Sequence, residues 1–153
     1  MHELIPFRFD TKDIRVRLDD DGNPWWLAAD IGAVLGHTNI SVLVRRLDGD
    51  EKALNSIYPS GSEAWFINEF GLYKLLLGSR KVEAKQFQRW ITHEVLPQIR
   101  KTGQYAVETK IPQVKDPAIQ MLIDMAVHLD TVRAEAAEAK NLATRALEGQ
   151  QWF

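Results

Sequence analysis

The sequence predicts an α+β fold: a small antiparallel sheet and a hairpin packed with about four helices, followed by a long C-terminal helix. Three observations predict it. Short runs before residue 28 alternate apolar with polar side chains, the period of a half-buried strand. From Ala28 to Gly103 the apolar residues recur at three- and four-residue spacing between helix caps and stops. After Pro117 a heptad seam runs for some thirty residues, about four heptads, without interruption.

Phe7-Arg8-Phe9, Ile14-Arg15-Val16-Arg17-Leu18 and Trp25-Trp26-Leu27 are the first strands. In the second, Ile14, Val16 and Leu18 face one way and Arg15 and Arg17 the other. Asp19-Asp20-Asp21-Gly22-Asn23-Pro24 is the turn between strands. Asp19, Asp21, Asn23 and Asp30 match some ligand positions of a calcium loop. Pro24 stands where that loop requires Gly, so the segment is read as a solvated hairpin turn. Trp25 and Trp26 alternate, so one of them points outward as a candidate for stacking on a base.

Ala28 to Leu35 is a short helix ended by Gly36. Asn39 or Ser41 then caps a second helix that turns Val42, Leu43 and Leu47 inward and offers Ser41, Arg45 and Arg46 outward. The pair invites comparison with a helix-turn-helix, in which those arginines reach a major groove. Its connection, Gly36 to Ile40, is longer than the usual turn. Ala53–Tyr58 and Ala64–Ile67 flank Pro59-Ser60-Gly61-Ser62 as a β-hairpin. Asn68 caps a third helix with Phe70, Tyr73, Leu76 and Leu77 on one face.

Gly78-Ser79 separates it from a fourth helix. Ala84, Phe87, Ile91, Val95 and Ile99 share its apolar face, widened by Trp90. Lys81, Lys85, Arg89 and His93 run along the opposite side at four-residue steps. They suit phosphates, which supply affinity without sequence information. Pro97 removes a backbone bond and kinks the helix near His93. Arg100 and Lys101 suit the negative end of the helix dipole, and Gly103 stops the chain.

From Gln104 to Asp116 periodicity vanishes, marking a linker between a domain at 1–105 and the seam at 117–149. Leu122, Met125, Leu129 and Val132 are its bulky half, and the second half is almost all Ala. The seam pairs chains into a homo-oligomer or folds back on its own domain; the former is expected because the linker frees it. Trp152 and Phe153 at 150–153 either dock on a neighbour or mark a chain that continues into a further domain, and the latter is expected.

Composition narrows the function. The 153 residues hold 45% hydrophobic and 26% charged side chains, an ordinary globular balance. No cysteine is present, which excludes disulfides, thiolate metal sites and cysteine nucleophiles. No signal-like leader or apolar run of membrane-spanning length occurs, so a cytoplasmic protein without membrane attachment is expected. The histidines are scattered, and no nucleophile elbow or phosphate loop is present, so no enzyme, cofactor or metal site is expected. Net charge is −2, with fourteen basic and fourteen acidic residues through Tyr105. Any DNA binding therefore rests on local clustering of Ser41, Arg45, Arg46, Lys81, Lys85 and Arg89.

Several pieces, in order, support a family resemblance. They are Trp26 to Ile31 with Leu35-Gly36, then Leu47-Asp48 with Asp50-Glu51-Lys52, then Ile67 to Leu75 with Ser79. Phe87-Gln88-Arg89-Trp90-Ile91 and Val95 to Tyr105 complete the set. From about Phe7 to Tyr105, two thirds of its length, the chain resembles the N-terminal domain of the BRO family, found in prophage antirepressors and large DNA viruses. The resemblance implies a compact α+β domain, nucleic-acid binding and phage gene control, with no catalytic residues to carry over. It implies two partners: DNA, or a phage repressor protein captured without DNA contact.

Overall fold

The computed structural model describes residues 5–9, 12–57, 61–105 and 111–150. The expected α+β class holds, and strand segments emerge close to their predicted places. β1 (Ile5–Phe9), β2 (Lys12–Leu18), β3 (Pro24–Leu27), β4 (Lys52–Ile57) and β5 (Ser62–Ile67) form one antiparallel sheet in the order β1-β2-β3-β5-β4. Alternation in β2 sends Ile14 and Val16 into the core with Trp26 and Ile67. Arg17 lies on the opposite face, its guanidinium carbon 4.5 Å from the centre of the Phe66 ring and its Nη2 donating to the Ser56 carbonyl at 3.0 Å. Burial pulls its pKa below the usual arginine value.

The Asp19 turn is held by its own first residue. Asp19 Oδ1 accepts from the amides of Asp21 and Asn23, and Oδ2 accepts from Trp25 Nε1 at 3.1 Å. Trp25 is thus the outward tryptophan, half-buried and tied to this turn, while Trp26 is fully buried.

α1 (Ala28–Leu35) ends at Gly36, whose φ of 79° is the left-handed conformation of a glycine stop. Asn39 caps α2 (Ile40–Val44), its side chain accepting from Val42 N. α2 is only five residues long, and it is Leu43, Val44 and Leu47 that turn inward. Val42 is 42% exposed, against expectation, because the buried stripe follows the 40-43-44-47 spacing.

α3 (Glu69–Leu77) is capped by Asn68, which accepts from Gly71 N at 3.1 Å. Its buried face is Gly71, Leu72, Leu75 and Leu76, not the predicted Phe70 and Leu77, which are 53% and 43% exposed. A Cβ at Gly71 would stand 3.0 Å from the Glu51 carbonyl and 3.1 Å from Leu47, so this glycine seats the helix on the hairpin and sets its rotation.

The predicted fourth helix is three pieces: α4 (Val82–Trp90), a π-helical turn (Ile91–Val95) and α5 (Leu96–Thr102). The irregularity expected from Pro97 is this wider turn, which accommodates the missing N–H. Trp90 is buried and donates to the Tyr105 hydroxyl at 3.1 Å. Ile99 is exposed, because the apolar stripe drifts off line past the wide turn.

The single long C-terminal helix is not found. α6 (Pro117–Val127) and α7 (Leu129–Gln150) are separated at His128, whose φ of −113° and ψ of 57° leave the helical region. Asp116 caps α6 as predicted. Leu122 and Met125 are buried on α6, and Val132 on α7, within the same core as Ile14, Trp26 and Leu72; Leu129 packs half-buried against it. The bulky half of the seam is therefore packed on its own domain. Withdrawing it for another chain would expose side chains whose burial contributes about 1.5–3 kcal/mol each. The described end of the linker, 111–116, is tied down as well: Gln120 donates to the Pro112 carbonyl at 3.1 Å and accepts from Val114 N at 2.7 Å. Arg133 Nε donates to the Gly22 carbonyl at 2.8 Å and fixes α7 to the β2–β3 turn. Tyr58 at the end of a predicted hairpin strand, Pro59 and Ser60 of its predicted turn, residues 106–110 of the predicted linker, and Trp152 and Phe153 lie outside the described residues. No helix among the described residues is long and apolar enough to cross a membrane.

Candidate nucleic-acid interface

Several basic side chains are engaged within the fold, Arg15 and Lys74 by carboxylates. Arg15 donates Nε and Nη2 to the two Asp30 oxygens, each at 3.0 Å, while its backbone N donates to Asp30 at 2.8 Å. This carboxylate hydrogen bond raises the Arg15 pKa, and burial opposes it less strongly. Lys74 Nζ reaches Asp48 at 2.9 Å and Glu51 at 2.8 Å, and bonding to Glu51 and then Asp48 raises its pKa. Glu51 also accepts from Asp48 N. The acidic group of Asp48, Asp50 and Glu51 is thus partly neutralised by a lysine within the fold.

A different arrangement occupies the corner where α1 ends, α2 ends and the α3–α4 loop begins. A cavity of about 600 Å³ opens there between Gly36, His37, Arg46, Gly78, Arg80 and Lys81, with Leu35 at its base. Among the described residues no carboxylate lines it. Arg46, Arg80 and Lys81 are exposed and His37 half-buried, and among the described residues none of these cations forms an ion pair.

The local backbone explains the convergence. Gly36 presents no Cβ, and the Lys81 stem fills that space: a Cβ there would lie 3.1 Å from Lys81 Cε. His37 N bonds back to the Gly32 carbonyl at 2.8 Å, so the residue after the glycine stop is fixed. Arg46 follows α2 in a turn held by its amide on the Leu43 carbonyl. The Gly78–Arg80 loop is clamped from beneath. Gln88 Nε2 donates to the Leu76 and Ser79 carbonyls, both at 2.9 Å, and buried Ser79 accepts from Lys81 N at 3.2 Å. Cations on a fixed backbone lose less freedom when they meet an anion.

Of the predicted residues, the structure brings Arg46 and Lys81 to one cavity. Lys85 and Arg89 are exposed along α4, one and two turns beyond Lys81, whose carbonyl accepts from Lys85 N. Ser41 and Arg45 are exposed on and just after α2 but do not line the cavity. His93 leaves the ladder because the π-helical turn begins at Ile91; its Nδ1 lies 2.8 Å from Thr92 Oγ1 and 3.2 Å from the Arg89 carbonyl. A five-residue α2 is too short for a recognition helix, so the helix-turn-helix comparison fails on length. Sequence reasoning missed Arg80 and His37 as members of the site. Arg80 adjoins Lys81 and His37 adjoins Gly36, but only the folded chain shows that these two pairs meet.

The model of the BRO family, N-terminal domain, matches residues 13–97. The chain belongs to the BRO family. An uncharacterized protein of Haemophilus influenzae is 37% identical over 118 residues, covering 75% of this chain and 59% of that protein. The putative Bro-N domain-containing protein 201R of Invertebrate iridescent virus 6 is 46% identical over 46 residues, 30% of this chain and 11% of its own length. The Bro-N domain-containing protein ORF2 of Autographa californica nuclear polyhedrosis virus is 24% identical over 155 residues, 86% of this chain and 47% of that protein. The chain spans less than two thirds of each of these relatives, and no solved structure matches it.

Within this BRO domain, the residues that carried the resemblance are mostly those that hold the fold. Asp30 grips Arg15, Glu51 and Asp48 grip Lys74, Gly71 seats α3 and Ser79 is clamped below the loop. The cavity's Arg46, Arg80 and Lys81 stand beside those pieces rather than inside them.

Proposed function

We propose that this BRO-family chain is an antirepressor-type regulator of transcription whose domain contacts DNA phosphates. Arg46, Arg80 and Lys81 are the anchoring cations, and Lys85 and Arg89 extend the contact along α4. One observation carries the reading: three cations gather in a cavity without a single carboxylate, although the chain as a whole is acidic. Sequence-independent affinity needs such a local concentration of charge. The reading assigns no catalytic step. It does not use Leu122, Met125, Leu129 and Val132 to pair chains, because they are packed in or against the chain's own core.

Fluorescence anisotropy over a salt series tests it. Each neutralised phosphate contributes about −0.9 to the log–log slope, so five contacts, one for each named cation, give a slope of about −4.5. A flat salt response, or no binding at low salt, removes the reading. A second reading is capture of a phage repressor without DNA. It is favoured by an apolar groove of about 330 Å³ between α3, α4 and α6, lined by Tyr73, Leu77, Phe87, Trp90, Ile91 and their α6 neighbours, with exposed Phe70 nearby on α3. Under that reading Phe70→Ser abolishes repressor capture, while Arg46→Glu leaves it intact.

A further inference from the structure

The DNA reading describes a surface, whereas the structure has a cavity, and the two make different demands on a phosphate. A phosphodiester within a duplex is tied into the chain on both sides and lies on a convex cylinder. It has two free oxygens and one negative charge. A terminal phosphomonoester is tied on one side only, has three free oxygens and carries about −1.5 to −2 at pH 7. It can enter a recess; an internal phosphate can only lie across its mouth.

The recess at the α1–α2–α4 corner suits the former. Its volume of about 600 Å³ falls in the range of small-ligand sites, and it is open to solvent on the side from which a strand end would enter. Arg46, Arg80 and Lys81 enter it from two separate parts of the chain, with His37 on the same wall and no carboxylate to relieve their mutual repulsion. Glu83 lies in the first turn of α4 but does not line the cavity. One internal diester offsets a single charge of this cluster. A monoester offsets up to two and has enough oxygens for all three fixed cations to donate.

We infer that this cavity takes a phosphomonoester, and specifically the phosphorylated end of a nucleic-acid strand. The inference rests on the DNA reading above and makes it more specific. The exit from the cavity favours a nucleic acid over a phosphopeptide. Lys81, Lys85 and Arg89 advance along α4 in four-residue steps, a rise of about 6 Å each, so a strand anchored at its end meets a cation at each step. The π-helical turn at Ile91 ends this line after Arg89, which limits the tracked segment to the first few phosphates.

The test uses the full chain and one short oligodeoxynucleotide with an internal fluorophore. It is prepared with a phosphate at its 5′ end, at its 3′ end, or with hydroxyls at both ends. Anisotropy at fixed salt should show about tenfold or more tighter binding for an end-phosphorylated form. Arg46→Ser with Arg80→Ser should erase that advantage, whereas Lys85→Ser should weaken all three forms by the same factor. Equal affinity for the three forms, with salt-sensitive binding preserved, overturns the end-phosphate inference and leaves the DNA reading standing. Stronger competition by a phosphoserine peptide than by the end-phosphorylated oligonucleotide overturns it in favour of a phosphoprotein ligand. Failure of every oligonucleotide to bind removes the DNA reading and the inference together.

Discussion

Two sets of cations divide this molecule. Arg15, Arg17 and Lys74 are held by partners: one carboxylate gripped through both oxygens, an aromatic ring with a backbone carbonyl, and two carboxylates. Arg46, Arg80 and Lys81 share a cavity with no acid in it. The first set joins β2 to α1 and to the hairpin, and α3 to the segment before β4. The second set joins nothing, yet its backbone is as firmly held. Like charges left together on a rigid frame cost stability, and they persist where an external anion relieves them. Charge alone does not distinguish the sets; partnership does.

Breaking the second set should have the largest effect. Arg46→Glu with Arg80→Glu should lower DNA affinity about 10³-fold, since reversed charges repel phosphate rather than merely release it. Unfolding in urea should shift by no more than about 0.5 kcal/mol, because neither side chain has a partner among the described residues. A large loss of stability would move these arginines into the structural set.

Breaking the first set should do the reverse. Asp30→Ala removes a carboxylate only 10% exposed and leaves the Arg15 amide and the 39%-exposed Arg15 guanidinium without three hydrogen bonds. About 2–4 kcal/mol of stability should be lost in urea unfolding, with the salt slope of DNA binding unchanged. Glu51→Ala should cost less, about 1–2 kcal/mol, because the segment before β4 keeps its Gly71 and Asn68 contacts.

The smallest effect is confined to high pH. Burial first, and then the charge and hydrogen bond of Glu69, push the Tyr73 hydroxyl up to about 12 from 10.0. The phenol is kept neutral in the folded state, so its contribution is complete below pH 10 and is lost as pH rises towards about 12. Base unfolding of the native chain should therefore be steeper in that window than for Tyr73→Phe. Identical curves would show that Tyr73 is solvated in the folded protein.

Local chemistry was legible throughout. Gly36 and Gly103 stop helices, Asn39, Asn68 and Asp116 cap them, and alternation from Ile14 to Leu18 marks a strand. Each is decided within a few residues. The faces of α2 and α3 were not legible. α3 is apolar nearly all round, and Gly71 chooses the buried side only by approaching Glu51 and Leu47. The break at His128 has no Gly or Pro to announce it; it arises where the chain leaves the α1–α3–α4 core and turns onto the sheet. The heptad pattern was real, but an apolar stripe looks the same whether it meets another chain or its own domain.

The sequence by itself determined the class of fold, the family and most helix and strand limits, because caps, stops and periodicities act over one or two turns. Tertiary structure alone decided that the bulky half of the C-terminal seam lies in or against the core and that His37 and Arg46 meet Arg80 and Lys81 in one recess. The reason is geometric. Some thirty-four residues of chain separate Arg46 from Arg80, and only the packing of α1, α2 and the α3–α4 loop around a common core closes that distance.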